Sequence, residues 1–162
     1  MDAYAATALQ VAVAIASVTM RVDVFTFSTS LRRVTGDVRR AAAGVPVRLE
    51  HLRSAWGGGT SIGACLREFL RRFGERSLSR ETLVIIASDG LDVGEADVLR
   101  EAMRELHRRS SGVVWLNPLL DTPGYEPTAA GMRAARPFIA TFASIRDQAG
   151  FARLPRLVRL RA

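Results

Sequence analysis

The chain has 162 residues, of which 48% are hydrophobic and 24% charged, and its net charge is +7. That size suits one domain with one substantial core, and the composition is ordinary for a globular protein. No apolar run reaches the ~18 residues that a membrane-spanning helix needs. The nearest, from Ala3 to Met20, is broken by Thr7, Gln10, Ser17 and Thr19 and lacks the basic leader of a signal peptide. Cys65 is the only cysteine, so no internal disulfide can form, and a lone thiol fits a reducing compartment. The expected location is cytoplasmic.

In chain order, Asp2 can cap a helix running to about Thr19. Val22 to Phe27 reads as a strand of β-branched and aromatic residues. Ser28-Thr29-Ser30 turns the chain, and Leu31 to Thr35 returns antiparallel. Asp37 to Ala43 is expected as a short helix, ended by Gly44 and Pro46. Val47 to Arg53 has no clear pattern. Gly57-Gly58-Gly59-Thr60-Ser61 is a loop, and a helix follows to Phe73 with Ile62, Leu66, Phe69, Leu70 and Phe73 on one face. Gly74 to Ser79 is a turn.

Thr82 to Ala87 is a continuous apolar run, the pattern of a strand buried on both faces. Ser88-Asp89-Gly90 ends it, and a helix begins near Gly94 and runs to Arg109. Gly112 to Leu116 is a second buried strand, closed by Asn117-Pro118. A loop spans Leu119 to Pro127. Then come a helix over Ala129 to Ala135, an extended piece over Phe138 to Thr141 and a last helix over Ser144 to Leu154. Such alternation implies an α/β fold, a three-layer arrangement with a mostly parallel sheet between helices. Ligands in such folds bind at the C-terminal ends of the strands.

Two loops at that end carry the candidate chemistry. In Trp56-Gly57-Gly58-Gly59-Thr60-Ser61-Ile62-Gly63, the glycines allow a close backbone approach and Thr60 offers a hydroxyl at a helix start. A phosphate loop would end in Gly-Lys-Ser/Thr, and all 23 Lys and Arg residues are arginine. In Ser88-Asp89-Gly90-Leu91-Asp92, a carboxylate follows a buried strand. Each loop alone is compatible with a plain turn or a helix-approach cap. Thr60 before a helix and Asp89 after the next strand form a stronger combination.

The order of these motifs resembles the von Willebrand factor A (VWA) domain, and within it the CoxE-like branch. The matching stretches are Val24 to Thr35, Trp56 to Gly63, Val84 to Asp92, Val113 to Pro118 and Gly131 to Ala135. The Trp115-Leu116-Asn117-Pro118 segment makes the branch more specific than the general fold. The resemblance implies a metal-ion-dependent adhesion site holding Mg²⁺ or Mn²⁺, with Thr60 and Asp89 as metal ligands. It also implies an Asp-x-Ser-x-Ser loop after a central first strand, and this sequence opens directly on the helix at Asp2. The expectation is therefore an incomplete VWA-type domain over residues 1–153 that lacks that strand and loop, with a basic tail over 154–162.

A missing central strand would remove about five buried aliphatic side chains, worth on the order of 10 kcal/mol at ~1.5–3 kcal/mol each. Two outcomes are expected: poor stability, or pairing of Val22–Phe27 with Thr82–Ala87 across the gap. Metal binding by Thr60 and Asp89 alone is expected to be weak.

The resemblance implies a non-catalytic protein-interaction module. Its implied partners are a MoxR-type AAA+ ATPase and a client metalloenzyme of the carbon monoxide dehydrogenase kind, whose maturation it assists. Two other classes compete. The positive charge invites a nucleic-acid-binding domain, although the arginines are scattered in pairs such as Arg32-Arg33 and Arg71-Arg72. A hydrolase would have to use Ser88 or Cys65 with His51 or His107, and neither a Gly-x-Ser-x-Gly elbow nor a metal-ligand histidine pair is present.

Overall fold

The computed structural model describes residues 2–19, 21–47 and 60–144. Helix α1 (Asp2–Val18) leads to strands β1 (Phe25–Phe27) and β2 (Leu31–Arg33) and helix α2 (Thr35–Ala42). Helix α3 (Ile62–Arg72) and the single turn α4 (Gly74–Ser77) precede strand β3 (Leu83–Ala87). Helix α5 (Ala96–Arg109), strand β4 (Gly112–Leu116), helix α6 (Ala130–Ala135) and strand β5 (Thr141–Ala143) complete the series. Short 3₁₀ turns occupy Pro118–Asp121 and Arg136–Phe138.

The expected α/β architecture is present, with a parallel sheet in the order β3-β4-β5. The intervening helices α5 and α6 act as its crossovers. β1 and β2 form a separate antiparallel hairpin, with Phe25 opposite Arg33 and Phe27 opposite Leu31. Ser28-Thr29-Ser30 makes the turn, as the polar triplet predicts.

β4 is the central strand of its sheet, and all five of its residues are buried. Its alternating side chains serve two cores. Val113 and Trp115 join Ile62 and Leu66 of α3, Ile86 of β3, Leu99, Met103 and Leu106 of α5, and Met132 of α6. The helix residues recur at intervals of three and four, which keeps them on one face. Val114 and Leu116 point to the opposite face, against Leu83, Ala87 and Ala143. A third cluster joins Leu9 and Ala16 of α1 to Val34 and Val38. The hairpin is tied to α3 by aromatic rings, with Phe25 at 5.1 Å from Phe69 and 4.9 Å from Phe73.

Several expectations need correction. Thr82 to Ala87 reads as a strand buried on both faces, yet Ile85 is 38% exposed. The reason is position: β4 has a strand on each side, whereas β3 has only β4 beside it among the described residues. β1 and β3 belong to different sheets, so the pairing of those strands across a gap does not occur among the described residues. The extended piece expected at Phe138–Thr141 begins later, at Thr141. Pro137 favours the 3₁₀ turn, and the ladder is entered only when Ala140 N–H donates to the Val113 carbonyl at 2.8 Å. Gly74–Ser77 is a helical turn rather than a plain one. Residues 48–53, the loop glycines Gly57–Gly59 and everything beyond Ser144, including the basic tail, lie outside the described residues.

Candidate functional site

The C-terminal ends of the strands gather three loops. The β3–α5 loop carries Asp89, the entry to α3 carries Thr60, and the β4 exit carries Asn117. Thr60 and Asp92 form an isolated parallel bridge. Val93 N–H donates to the Thr60 carbonyl at 3.0 Å. On the other side, Ser61 N–H donates to the Ser28 carbonyl at 2.8 Å. The Thr60–Ser61 segment therefore lies between the hairpin turn and the β3–α5 loop and is bonded to both.

The principal fastener is Asp92. Its Oδ1 accepts from Ile62 N–H at 2.9 Å and from Gly94 N–H at 3.1 Å, and its Oδ2 accepts from Gly63 N–H at 3.3 Å. The first amides of a helix have no partner within the helix, and a carboxylate there also complements the helix dipole. Asp92 supplies that cap to α3 from a distant point in the sequence, in place of the local residue Ser61, whose side chain makes no cap bond. With its oxygens committed to three amides, Asp92 acts as a positioning residue.

Asp89 is held chiefly by its backbone. Its carbonyl accepts from Asn117 Nδ2 at 3.0 Å and from the Tyr125 hydroxyl at 3.4 Å. One residue earlier, the Ser88 carbonyl accepts from Trp115 Nε1 at 2.9 Å, while Ser88 N–H donates to the Leu116 carbonyl at 3.0 Å. Trp115 and Asn117 are completely buried. They thus fix two successive carbonyls of the loop from below. Asn117 also accepts from Leu119 N–H at 2.8 Å, which starts the 3₁₀ turn after β4. The Trp-Leu-Asn-Pro segment consequently has a mechanical role beside Asp89. The Asp89 carboxylate accepts from Leu91 N–H at 3.1 Å, an Asx turn that sets its direction.

Glycines allow the close packing beneath. Gly90 has φ +78°, and a Cβ there would lie 2.0 Å from Met132 Sδ. A Cβ on Gly131 would lie 3.0 Å from Asp92 Cβ, and one on Gly63 would lie 2.7 Å from Leu99 N. Helix α6 therefore presses Gly131 and Met132 against the Asp89–Asp92 loop, and α3 crosses the start of α5 at Gly63.

The two residues expected to hold a metal lie on loops that the structure fastens together, Thr60 through its own backbone and Asp89 through the loop that Asp92 closes. Their oxygens are of the hard kind that Mg²⁺ and Mn²⁺ take, one hydroxyl and one carboxylate. The donor chemistry fits such an ion in kind. Among the described residues no group of three or more His, Cys, Asp or Glu side chains is placed to hold a metal.

Of the residues weighed for hydrolysis, Ser88, Cys65 and His107 lie among the described residues. Ser88 is buried, and its hydroxyl accepts from Gly90 N–H at 3.1 Å. Cys65 is 1% exposed on α3, with its Sγ 3.6 Å from the Ser28 carbonyl. Burial, with a smaller contribution from Glu68, pushes its thiol up, which disfavours the nucleophilic thiolate. His107 lies in the last turn of α5, with Nδ1 3.2 Å from the Phe138 carbonyl. His51 is outside the described residues.

The sequence does not single out Asp92, Trp115, Asn117 or Tyr125 as parts of the site. Asp92 acts across 30 residues of sequence, and only its place in the Asp-Gly-Leu-Asp string hints at it. Among the described residues no helix is long and apolar enough to cross a membrane.

Comparison with protein families matched residues 1–150 to the family described as VWA domain containing CoxE-like protein. No significant match was found among curated proteins or solved structures. The match covers the hairpin, the Thr60 loop, the Asp89 loop and the Trp-Leu-Asn-Pro segment together, and the chain belongs to the VWA CoxE-like family.

Proposed function

We propose that this chain is a non-catalytic protein-interaction module whose contact point is the Thr60–Asp89 end of the sheet. The observation that carries the reading is the fastening of the two loops: Asp92 caps α3 and bridges to Thr60, while Trp115 and Asn117 hold the backbone on either side of Asp89. A site held at so many backbone points is preorganised, so little loop ordering opposes binding. Thr60 and Asp89 are the residues that would hold Mg²⁺ or Mn²⁺. Such an ion, when bound, supplies an electrophilic contact for a carboxylate oxygen of a partner protein.

Family membership supports protein–protein interaction in general. The finer reading is that the module works in the cytoplasm beside a MoxR-type AAA+ ATPase during maturation of a metalloenzyme. The test is a binding measurement with a purified ATPase of that type, run beside a DNA-binding assay over a range of salt. Capture of the ATPase by the parent chain and its loss in Asp89→Ala support the proposal. Salt-sensitive DNA binding without ATPase binding overturns it in favour of a basic nucleic-acid binder.

A further inference from the structure

Beside this site the β3–α5 loop carries an apolar and acidic rim. The Asp92 carboxylate is turned onto the α3 amides, whereas the side chains on either side of it lack that cover. Leu91 and Val93 are accordingly 53% and 72% exposed. The stretch from Asp89 to Val98 contains Asp89, Asp92, Glu95 and Asp97 and no basic residue, in a chain whose net charge is +7. Asp97 is paired with Arg100, the Asp92 carboxylate is taken up by amides, and Glu95 is exposed. The rim is thus acidic in a chain of opposite net charge, with Glu95 as its exposed carboxylate beside two large exposed apolar side chains.

These apolar groups are not on a loose loop. The bonds of Asp92, together with Val93 N–H to the Thr60 carbonyl and Asp92 N–H to the Gly90 carbonyl, fix the backbone on both sides of each. Exposed apolar side chains on a fixed backbone lose little entropy on contact, which suits an anchor in an interface. The charge around them selects what can approach.

We propose that Leu91, Val93 and Glu95 form a docking rim for a partner segment in which an apolar side chain is flanked by arginine or lysine. The contact goes beyond the metal-dependent reading, because none of these three residues is a candidate metal ligand.

The probe is a fluorescein-labelled peptide of alternating leucine and arginine, titrated with the full chain in EDTA and followed by anisotropy. Control peptides carry glutamate for arginine or serine for leucine. The expected result is binding of the Leu-Arg peptide that weakens about tenfold in Leu91→Ser/Val93→Ser and several-fold in Glu95→Gln. Both variants should keep the parent's circular dichroism, unfolding midpoint and Mn²⁺ response, since the side chains are exposed. The proposal is overturned if the parent does not bind, if the variants bind as the parent does, or if either control peptide binds equally well. Absence of Mn²⁺ binding by the parent chain, with its peptide binding and the variants' losses as expected, would count against the metal reading alone.

Discussion

Replacing Asp92 by alanine isolates the fastener that brings Thr60 to the Asp89 loop. The substitution removes acceptors for Ile62 N–H, Gly63 N–H and Gly94 N–H. Ile62 and Gly63 are buried, so water cannot readily take over at those two amides. Loss of a helix cap costs about 0.5–2 kcal/mol, and a buried donor left without a partner costs about 1–3 kcal/mol. These overlap rather than add, and about 2–3 kcal/mol is the expected total. Urea unfolding followed by circular dichroism should show the midpoint falling by about 1 M, given a slope of ~1–3 kcal/mol/M. Asp92→Asn keeps one acceptor oxygen and should fall between. A loss below about 0.5 kcal/mol in Asp92→Ala, the range of ordinary surface changes, would refute the capping argument.

Gly90→Ala should cost more than about 1 kcal/mol, because it combines a left-handed backbone with a Cβ placed against Met132; thermal unfolding would read it. Asn117→Ala should also cost about 1–3 kcal/mol in the same assay, since the side chain is fully buried and bonded to the Asp89 carbonyl and Leu119 N–H. Asp23 gives a pH dependence. Burial raises its carboxyl, but hydrogen bonds from Arg33, Ser77 and Thr35 and the Arg33 charge outweigh that and hold it below the ordinary 3.8. Its contribution is therefore present above that value and lost as pH falls through the lowered one. The stability gap between the parent chain and Asp23→Asn should be open at pH 7 and narrow below pH 3.8, as measured by urea unfolding at each pH.

Much of the fold was legible because periodicity and turn residues agreed. α3 and α5 show their buried faces at intervals of three and four, and β4 shows a run with no polar interruption. The exposure of Ile85 was not legible. An apolar run reports what side chains prefer, whereas the neighbours of β3 are set by tertiary arrangement. Thr60 and Asp89 stood out because each follows or precedes a regular element at the ligand-binding end of a parallel sheet. Trp115 and Asn117 stood out only as part of a family-specific string, and their bonds to the Asp89 loop, like those of Asp92 to α3, were not legible, since each acts on a backbone group distant in sequence. A carboxylate that caps a remote helix leaves no local pattern. An asparagine after a strand reads as a turn residue until the carbonyl it holds is known.

The central claim is that Thr60 and Asp89 together form the part of a cation site that these loops present. Mn²⁺ titration followed by electron paramagnetic resonance, on the parent chain and on Thr60→Ala and Asp89→Ala, tests it most directly. The account predicts weak binding, saturating only toward roughly 0.1–1 mM Mn²⁺, as expected for a site with one charged ligand, and loss of that binding in both variants. Tight stoichiometric binding, or binding that survives in Asp89→Ala, would contradict it.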